Sequence, residues 1–363
     1  NTPTYTIANG AANGCDSIVT LHLTINHNSY YVDVQTAENG ITWIDGNTYN
    51  SSNTTAMHTI RNGNYSGCDS VVRLSLSVGQ IVEGALPGLF SVSANRQVHF
   101  SKGNLQYQGV TDTWRFAENQ YESILNGAGN TNPGPTQSEW QDLFGWGTSG
   151  WASGAVAVMP YSTSTNSSDY KPGNNNNSDL IDDYSNADWG VYNPIINGGN
   201  CTGLWRTLTL EEWRYLLQTR LCSTVNGVVN ARYCMATVNN VLCLIIFPDN
   251  YIHPYNVTNP LYINNASTNR ESQMYSSDDW HLMELAGAVC LPATGYRNGT
   301  TWIYDRMTSY ASYFAITNYW SSTHFGGTQA YYIYISEPNR GLNTNIACEK
   351  SYGLAVRLVK DIE

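Results

Sequence analysis

Residues 318–335 read NYWSSTHFGGTQAYYIYI. The stretch ends in Ala330–Ile335, where aromatic and β-branched residues give the composition of a strand. On a period of two, Tyr331, Ile333 and Ile335 share one face, and Tyr332 and Tyr334 share the other. One face has to be buried, and apolarity favours the one carrying isoleucine. The opposite face would then offer phenols, which combine contact area with a hydrogen-bonding tip at low entropy cost. The alternative is that these tyrosines pack under loops as ordinary core.

Upstream lies AGAVCLPATGYRNGT (286–300), and downstream the chain runs to GLAVRLVKD (353–361). Arg357, in an otherwise apolar closing strand, is expected in a buried structural ion pair. Ser138-Glu139-Trp140-Gln141 has capping-box spacing and predicts a short helix carrying Leu143 and Phe144. Thr209-Leu210-Glu211-Glu212 repeats that spacing, and Leu210, Trp213, Leu216 and Leu217 continue it at helical intervals. Residues 278–287, DDWHLMELAG, predict a third short helix. Residues 162–178, STSTNSSDYKPGNNNNS, are too long and polar for an element. Loops of that size are usually functional or mobile.

The N-terminal region repeats itself. NGCDSIVTLHLTI (13–25) returns as SGCDSVVRLSLSV (66–78), with Cys15 answered by Cys68 and Asp16 by Asp69. Val19, Leu21, Leu23 and Ile25 alternate with polar residues, as do Val72, Leu74, Leu76 and Val78, so each copy predicts a half-buried strand. Residues 1–25 are expected to be the tail of one small all-β unit and 26–80 a complete second one. Further units are expected upstream, since beads of this kind form stalks. A Gly/Pro-rich linker is placed at 81–88, and 89–363 forms the head.

Composition narrows the function. The 363 residues carry 17 Lys+Arg and 28 Asp+Glu, a formal charge of −11, and only 12% are charged. So few basic residues leave no footprint for nucleic acid. The 26 Tyr and 11 Trp are too many for a disordered chain, and no apolar run is long enough for a membrane span. Polarity comes instead from amides and hydroxyls, and Tyr, Asn, Ser and Gly are the residues of antibody paratopes. The eight cysteines include no C-x-x-C pair, so a zinc site is not indicated. They are expected as small buried or half-buried thiols, with a bridge within Cys201–Cys243 as the alternative.

Two resemblances add to this reading. The GCDS-type strands resemble the Ig-like modules of surface and secreted proteins from Bacteroidetes-like bacteria. The Y-W-S-S-T segment with the closing G-x-x-V-R-L-V, together with GLFSVSANRQVHFSKGNLQY (88–107) and the W-R-T-L-T-x-E-E-W stretch, resembles the formylglycine-generating-enzyme-like branch of the C-type lectin fold. Within that branch it looks like surface proteins that include the variable proteins of diversity-generating retroelements. The resemblance implies an α+β C-type lectin fold for 89–363, with a variable-type region at about 318–357. Trp320, Ser321, Ser322, Gly353, Val356 and Arg357 would be structural scaffold. Thr323, His324, Phe325, Thr328, Tyr332, Tyr334, Ser336, Asn339, Arg340, Asn343, Asn345 and Tyr352 would line a ligand-binding face. Residues reached from an Asn codon by adenine changes would vary there, whereas Gln329, Glu337 and Lys350 would not.

The implied activity is that of a surface-displayed adhesin or receptor, extracellular or on the cell surface. Its partner would be a protein or glycan on another cell or phage, with no catalysis, cofactor or metal. The rivals are an oxidase of the formylglycine-generating type using Cys290 or Cys348, and a purely structural surface protein. His281 and Glu284 are three apart on the third helix but lack a third ligand. Glu337-Pro338-Asn339 matches the E-P-N triplet of calcium-dependent lectins, without the W-N-D triplet that accompanies it there. Asp182, Asp183 and Asp188 are expected as a solvated acidic loop.

Overall fold

The repeat fixes the local structure of the N-terminal region. In a computed structural model, residues 3–362 are described except 38, 52, 54, 79–82, 153–155, 176, 266–272, 305–316 and 337–340. Among the described residues of the first eighty lie five strands of four or more residues: β1 (Thr4–Ile7), β2 (Ser17–Thr20), β3 (Ser29–Ala37), β4 (Met57–Ile60) and β5 (Ser70–Val78). Contacts divide the chain into two units, Asn1–Tyr31 with Met57–Arg73, and Val32–Ala56 with Leu74–Glu363.

In the first unit, β1 pairs antiparallel with β2, Thr4 opposite Thr20 and Ile7 opposite Ser17. Strands β4 and β5 pair in the same register fifty-three residues on, Met57 opposite Arg73 and Ile60 opposite Ser70. The NGCDS motif proves to be turn chemistry. Asp16 Oδ1 accepts from Asn9 N at 2.9 Å, and Asp69 Oδ1 accepts from Asn62 N at 3.0 Å. Asn9 and Asn62 stand at φ 54° and 52°, and Gly14 and Gly67 at 79° and 74°. These are left-handed conformations that Asn and Gly reach at least cost. The two copies differ beyond the hairpin. Leu74 and Leu76 of β5 are buried, but β2 stops at Thr20, and Val19, Leu21, Leu23 and Ile25 are all more than half exposed. The half-buried strand expected over 19–25 is therefore not formed: β2 covers only Ser17–Thr20, and Ile18, Val19 and Thr20 in it are exposed.

The second unit is built from small sheets. Strand β6 (Gln97–Phe100) lies in a four-stranded sheet beside the closing strand. Strands β7 (Tyr233–Val238), β8 (Val241–Ile246) and β9 (Val289–Pro292) form an antiparallel set with Met274–Tyr275 on the far edge. Strands β10 (Thr317–Phe325), β11 (Gln329–Ser336) and β12 (Gly341–Glu349) form a three-stranded meander. Strand β13 (Leu358–Asp361) closes the chain against β6. Within the expected linker, Leu86 is buried and its N–H donates to Phe100 O at 2.9 Å.

The expected α+β C-type lectin fold is not adopted. The described residues hold α1 (Ala128–Thr131), α2 (Trp189–Tyr192), α3 (Leu210–Arg214) and α4 (Ser277–Leu285), of four, four, five and nine residues, and a π-helical turn at Tyr215–Thr219 continues α3. Their strands fall into eight separate sheets of two to four strands. Helices this short cannot form the covering layer that an α+β architecture requires. A chain with 31 Gly and 12 Pro, and with Asn even more frequent, favours turns over helices.

The individual helices follow the same logic. No helix forms after Ser138, because Gln141 pairs through its backbone with Tyr107 and Gly147 and Gly150 follow at positive φ. At Thr209 the capping box is complete: the hydroxyl accepts from Glu212 N at 3.2 Å, and Glu212 Oε2 accepts from Thr209 N at 2.9 Å. Thr209→Ala should cost about 1 kcal/mol in a urea titration, and an unchanged midpoint would show the cap to be idle. Helix α4 has a second box, Ser276 with Asp279, which the sequence reading did not use.

Two apolar clusters meet at β11. Ile333 enters one with Phe90, Phe100, Trp213, Leu244 and Tyr319. Ala330 and Tyr332 enter the other with Phe144, Trp146, Trp189, Trp205 and Trp320. Both faces of this strand are therefore covered over much of its length, rather than the isoleucine face alone.

Among the described residues of the head three arginines are buried, and they differ in how they are satisfied. Arg220 Nη1 donates to Asp249 Oδ1 at 2.6 Å, and its Nε donates to Leu216 O at 2.7 Å. Arg297, among the described residues, donates to backbone carbonyls, those of Ser162, Gly299 and Leu143. Arg357 was expected in an ion pair, but among the described residues no carboxylate lies within salt-bridge distance of it. Its Nη2 donates to Gln120 Oε1 at 2.6 Å, and Gln120 in turn donates to Glu284 at 2.9 Å. Burial pushes the Arg357 guanidinium down to about 10.

Candidate ligand-binding site

Strand β10 changes character along its length. From Thr317 to Ser322 it is buried throughout. Trp320 Nε1 donates to Phe144 O at 2.7 Å, Ser321 Oγ donates to Tyr331 O at 2.8 Å, and Ser322 O accepts from Leu180 N at 2.8 Å. Tyr319, Trp320, Ser321 and Ser322 thus act through packing and hydrogen bonds, and Gly353 and Val356 are buried beside them. A side chain at Gly353 would meet Arg297 at 3.1 Å. From Thr323 onward the strand emerges. It turns through Gly326 and Gly327, whose φ values of 39° and 52° a side chain would resist.

This hairpin end is exposed but anchored. Thr323 Oγ1 accepts from Leu210 N, at the start of α3, at 3.1 Å. Asp179 Oδ1 takes both the backbone N–H of His324, at 2.9 Å, and its Nδ1, at 2.6 Å. Asn177 Oδ1 accepts from Gly327 N at 3.3 Å. The polar loop that ends at Asp179 therefore clamps the hairpin. Lys350 Nζ lies 3.4 Å from Gly327 O and 4.5 Å from the centre of the Trp146 ring. Upon this frame Phe325, 45% exposed, stands edge-on to Tyr331 with ring centres 5.0 Å apart. An aromatic pair in this geometry keeps its shape without a ligand.

The rest of the expected face is more closed. Tyr332 is buried against Trp320, and Tyr334 is half-buried against Tyr332. Burial pushes the Tyr332 phenol far above its ordinary range. Tyr352 is half-buried with its ring 5.2 Å from that of Tyr296. Thr328 is half-buried in the turn. On β12, Asn345 is exposed and accepts from Arg214 Nη2 at 2.8 Å, while half-buried Asn343 accepts from Asn345 N at 2.8 Å. Ser336 ends β11, but its side chain lies outside the described residues, as do Glu337, Pro338, Asn339 and Arg340. The structure thus brings Thr323, His324, Phe325 and Thr328 to one hairpin end and places Tyr332 in the core. Sequence reasoning missed Asp179, Asn177, Lys350, Arg214 and the outward role of Tyr331. Only the length of the polar loop hinted at the first two.

Two predictions arise from these anchors. Asp179→Ala removes the acceptor of two His324 hydrogen bonds, so hydrogen exchange at 323–327 should quicken by about tenfold, an opening cost near 1.4 kcal/mol, with the global unfolding midpoint little changed. Equal exchange in both proteins would mean that the loop does not hold the hairpin. Lys350 is depressed to about 8 by burial and by Lys171 nearby. Between pH 8 and 10.5 the unfolded chain keeps the proton that the folded chain has lost, so stability from this residue should rise with pH. Lys350→Met should abolish that rise in stability curves measured across the interval.

Little else in the head offers chemistry. Among the described residues no group of three or more His, Cys, Asp and Glu could hold a metal ion. Asp188 is buried, caps α2 and accepts from Thr207 N at 2.7 Å, whereas Asp182 and Asp183 are exposed. Asp188 therefore does not belong to the solvated acidic loop expected there. All eight cysteines are free, which rules out the alternative of a bridge within Cys201–Cys243. Burial holds the Cys290 and Cys348 thiols well above their ordinary range, so neither is poised as a thiolate. No helix among the described residues is long and apolar enough to cross a membrane. Comparison with protein-family models, curated proteins and solved structures gives no match.

Proposed function

We propose that this chain is a surface-displayed binding protein that recognises a protein or glycan on another cell or phage through the exposed end of the β10–β12 sheet. The observation that carries this reading is the Phe325–Tyr331 pair, an exposed phenylalanine edge-on to a half-buried tyrosine, on a hairpin held by Thr323, Asp179, Asn177 and Lys350. Preorganised aromatic anchors with an adaptable polar surround are the usual centre of a recognition surface. Asn345 and Arg214 supply that surround on the adjoining strand and helix. Recognition is favoured over thiol chemistry because Cys290 and Cys348 are kept protonated by burial.

The test is a screen of the full chain against glycan arrays and against intact bacterial cells and phage. Saturable binding that Phe325→Ala weakens supports the reading, and turnover lost on Cys290→Ala or Cys348→Ala would replace it. Diversification by a retroelement belongs to the same proposal. It requires a reverse transcriptase gene beside the coding sequence and a near-copy of the stretch for 318–357 that differs only at adenines.

A further inference from the structure

The register of the β10–β12 meander sets one row of side chains across its three strands. Phe325 stands opposite Gln329, and Gln329 stands opposite Glu349. Directly paired residues of antiparallel strands share a face, and so do residues two apart on one strand. Tyr331 therefore joins the row from the next position of β11, in agreement with its ring contact to Phe325. Gln329 donates through Nε2 to Glu349 Oε1 at 2.9 Å. Its own Oε1 is left as an acceptor that no donor reaches among the described residues.

Glu349 carries the uncompensated charge of this row. Among the described residues no Lys, Arg or His lies within salt-bridge distance of it. Arg214 is engaged by Glu211 and Asn345, and His324 by Asp179. Lys350 lies against the Trp146 ring, in the cluster on the Tyr332 side of the sheet. Against the upward push of partial burial, hydrogen bonds from Ser167, Gln329 and Thr328 hold the Glu349 carboxyl below the ordinary glutamate range, so it is ionised at neutral pH.

A carboxylate and an amide oxygen beside an exposed aromatic ring make a row of acceptors. Sugar hydroxyls call for donors as well as acceptors, whereas an ammonium or guanidinium has only N–H groups to give and is drawn to an aromatic face. The chain as a whole carries −11, which attracts a basic surface over distance. We infer, resting on the reading of this hairpin end as the binding surface, that Phe325, Tyr331, Gln329 and Glu349 receive a lysine or arginine side chain of a basic protein partner. The cation lies against the Phe325 ring and donates to the oxygens of Glu349 and Gln329.

The probes are a short Gly-Lys repeat peptide, its fully Nε-acetylated form and oligoglucosamine, each titrated into the full chain at physiological salt. The lysine peptide should bind saturably, and acetylation or Glu349→Gln should each weaken it by at least ~10-fold, as removal of one partner of a close charge pair does. Glu349→Gln keeps an acceptor for Gln329, so its unfolding midpoint should match the wild type. Asp278→Asn removes the same charge from the exposed first turn of α4 and should bind the peptide as the wild type does. No binding of the lysine peptide, equal weakening by Asp278→Asn, or tighter binding of oligoglucosamine would overturn the inference. A cell, phage or glycan target from the screen that Phe325→Ala weakens and Glu349→Gln does not would also overturn it, while leaving the hairpin end as the binding surface. Target binding that neither variant changes would remove that surface, and the inference with it.

Discussion

Arg220→Met should lower the unfolding free energy by about 3–5 kcal/mol, the cost of stranding a buried charge. The stranded group is Asp249, which accepts from Arg220 Nη1 at 2.6 Å, Ser91 N at 2.9 Å, Ser91 Oγ at 2.6 Å and Gln97 Nε2 at 2.9 Å. Arg220 also satisfies the carbonyls of Leu216 and Phe247, so the substitution leaves orphaned acceptors at the end of the α3 segment and beyond β8. The pair ties three remote stretches of chain together, which is why the loss should be global. Chemical denaturation measures it directly, and adding Asp249→Asn should return part of the stability. A single-variant loss below about 1 kcal/mol would mean that water reaches Asp249 and replaces the guanidinium.

Trp320→Ala should cost a similar amount, about 3–5 kcal/mol, from lost burial and an unfilled cavity. Trp320 is fully buried among Phe144, Trp189 and Tyr332, and its indole satisfies Phe144 O at 2.7 Å. Trp320→Phe keeps most of the volume and loses the hydrogen bond, so it should cost roughly 1–3 kcal/mol. This ordering separates packing from hydrogen bonding. Both variants should also speed amide exchange across β10 and β11, because Trp320 underlies the strand that carries the binding hairpin. If Trp320→Phe were as damaging as Trp320→Ala, the hydrogen bond rather than the packing would dominate.

The sequence made some elements legible because their signals are local. The GCDS repeat, the Thr209 capping box, the helix near 278–287 and the strand over 330–335 each depend on residues a few positions apart. The fold class was misjudged because short motifs do not report how far a helix runs or how sheets are joined. Those depend on Gly, Asn and Pro spread along the chain and on pairings such as Gln141 with Tyr107. The face of β11 was half legible for a similar reason. Alternation separates Ile333 from Tyr332, but it cannot show that a second cluster of tryptophans covers the tyrosine side. Asp179, Asn177 and Lys350 were out of reach, since each meets the hairpin through tertiary packing of a segment with no pattern of its own. The exposed repeat strand failed by the same logic: Leu21, Leu23 and Ile25 alternate correctly, but alternation does not by itself bury a side chain.

The most direct measurement compares three variants of the full chain against whichever cell, phage or glycan the wild type binds in the screen. Phe325→Ala and Tyr331→Ala should each weaken binding by at least tenfold, about 1.4 kcal/mol, as loss of an interface anchor does. Leu221→Ala, at a side chain 77% exposed and outside the hairpin, should bind as the wild type does. All three should unfold at the wild-type midpoint. Equal affinity of Phe325→Ala, Tyr331→Ala and wild type would contradict the central claim and place recognition elsewhere on the molecule.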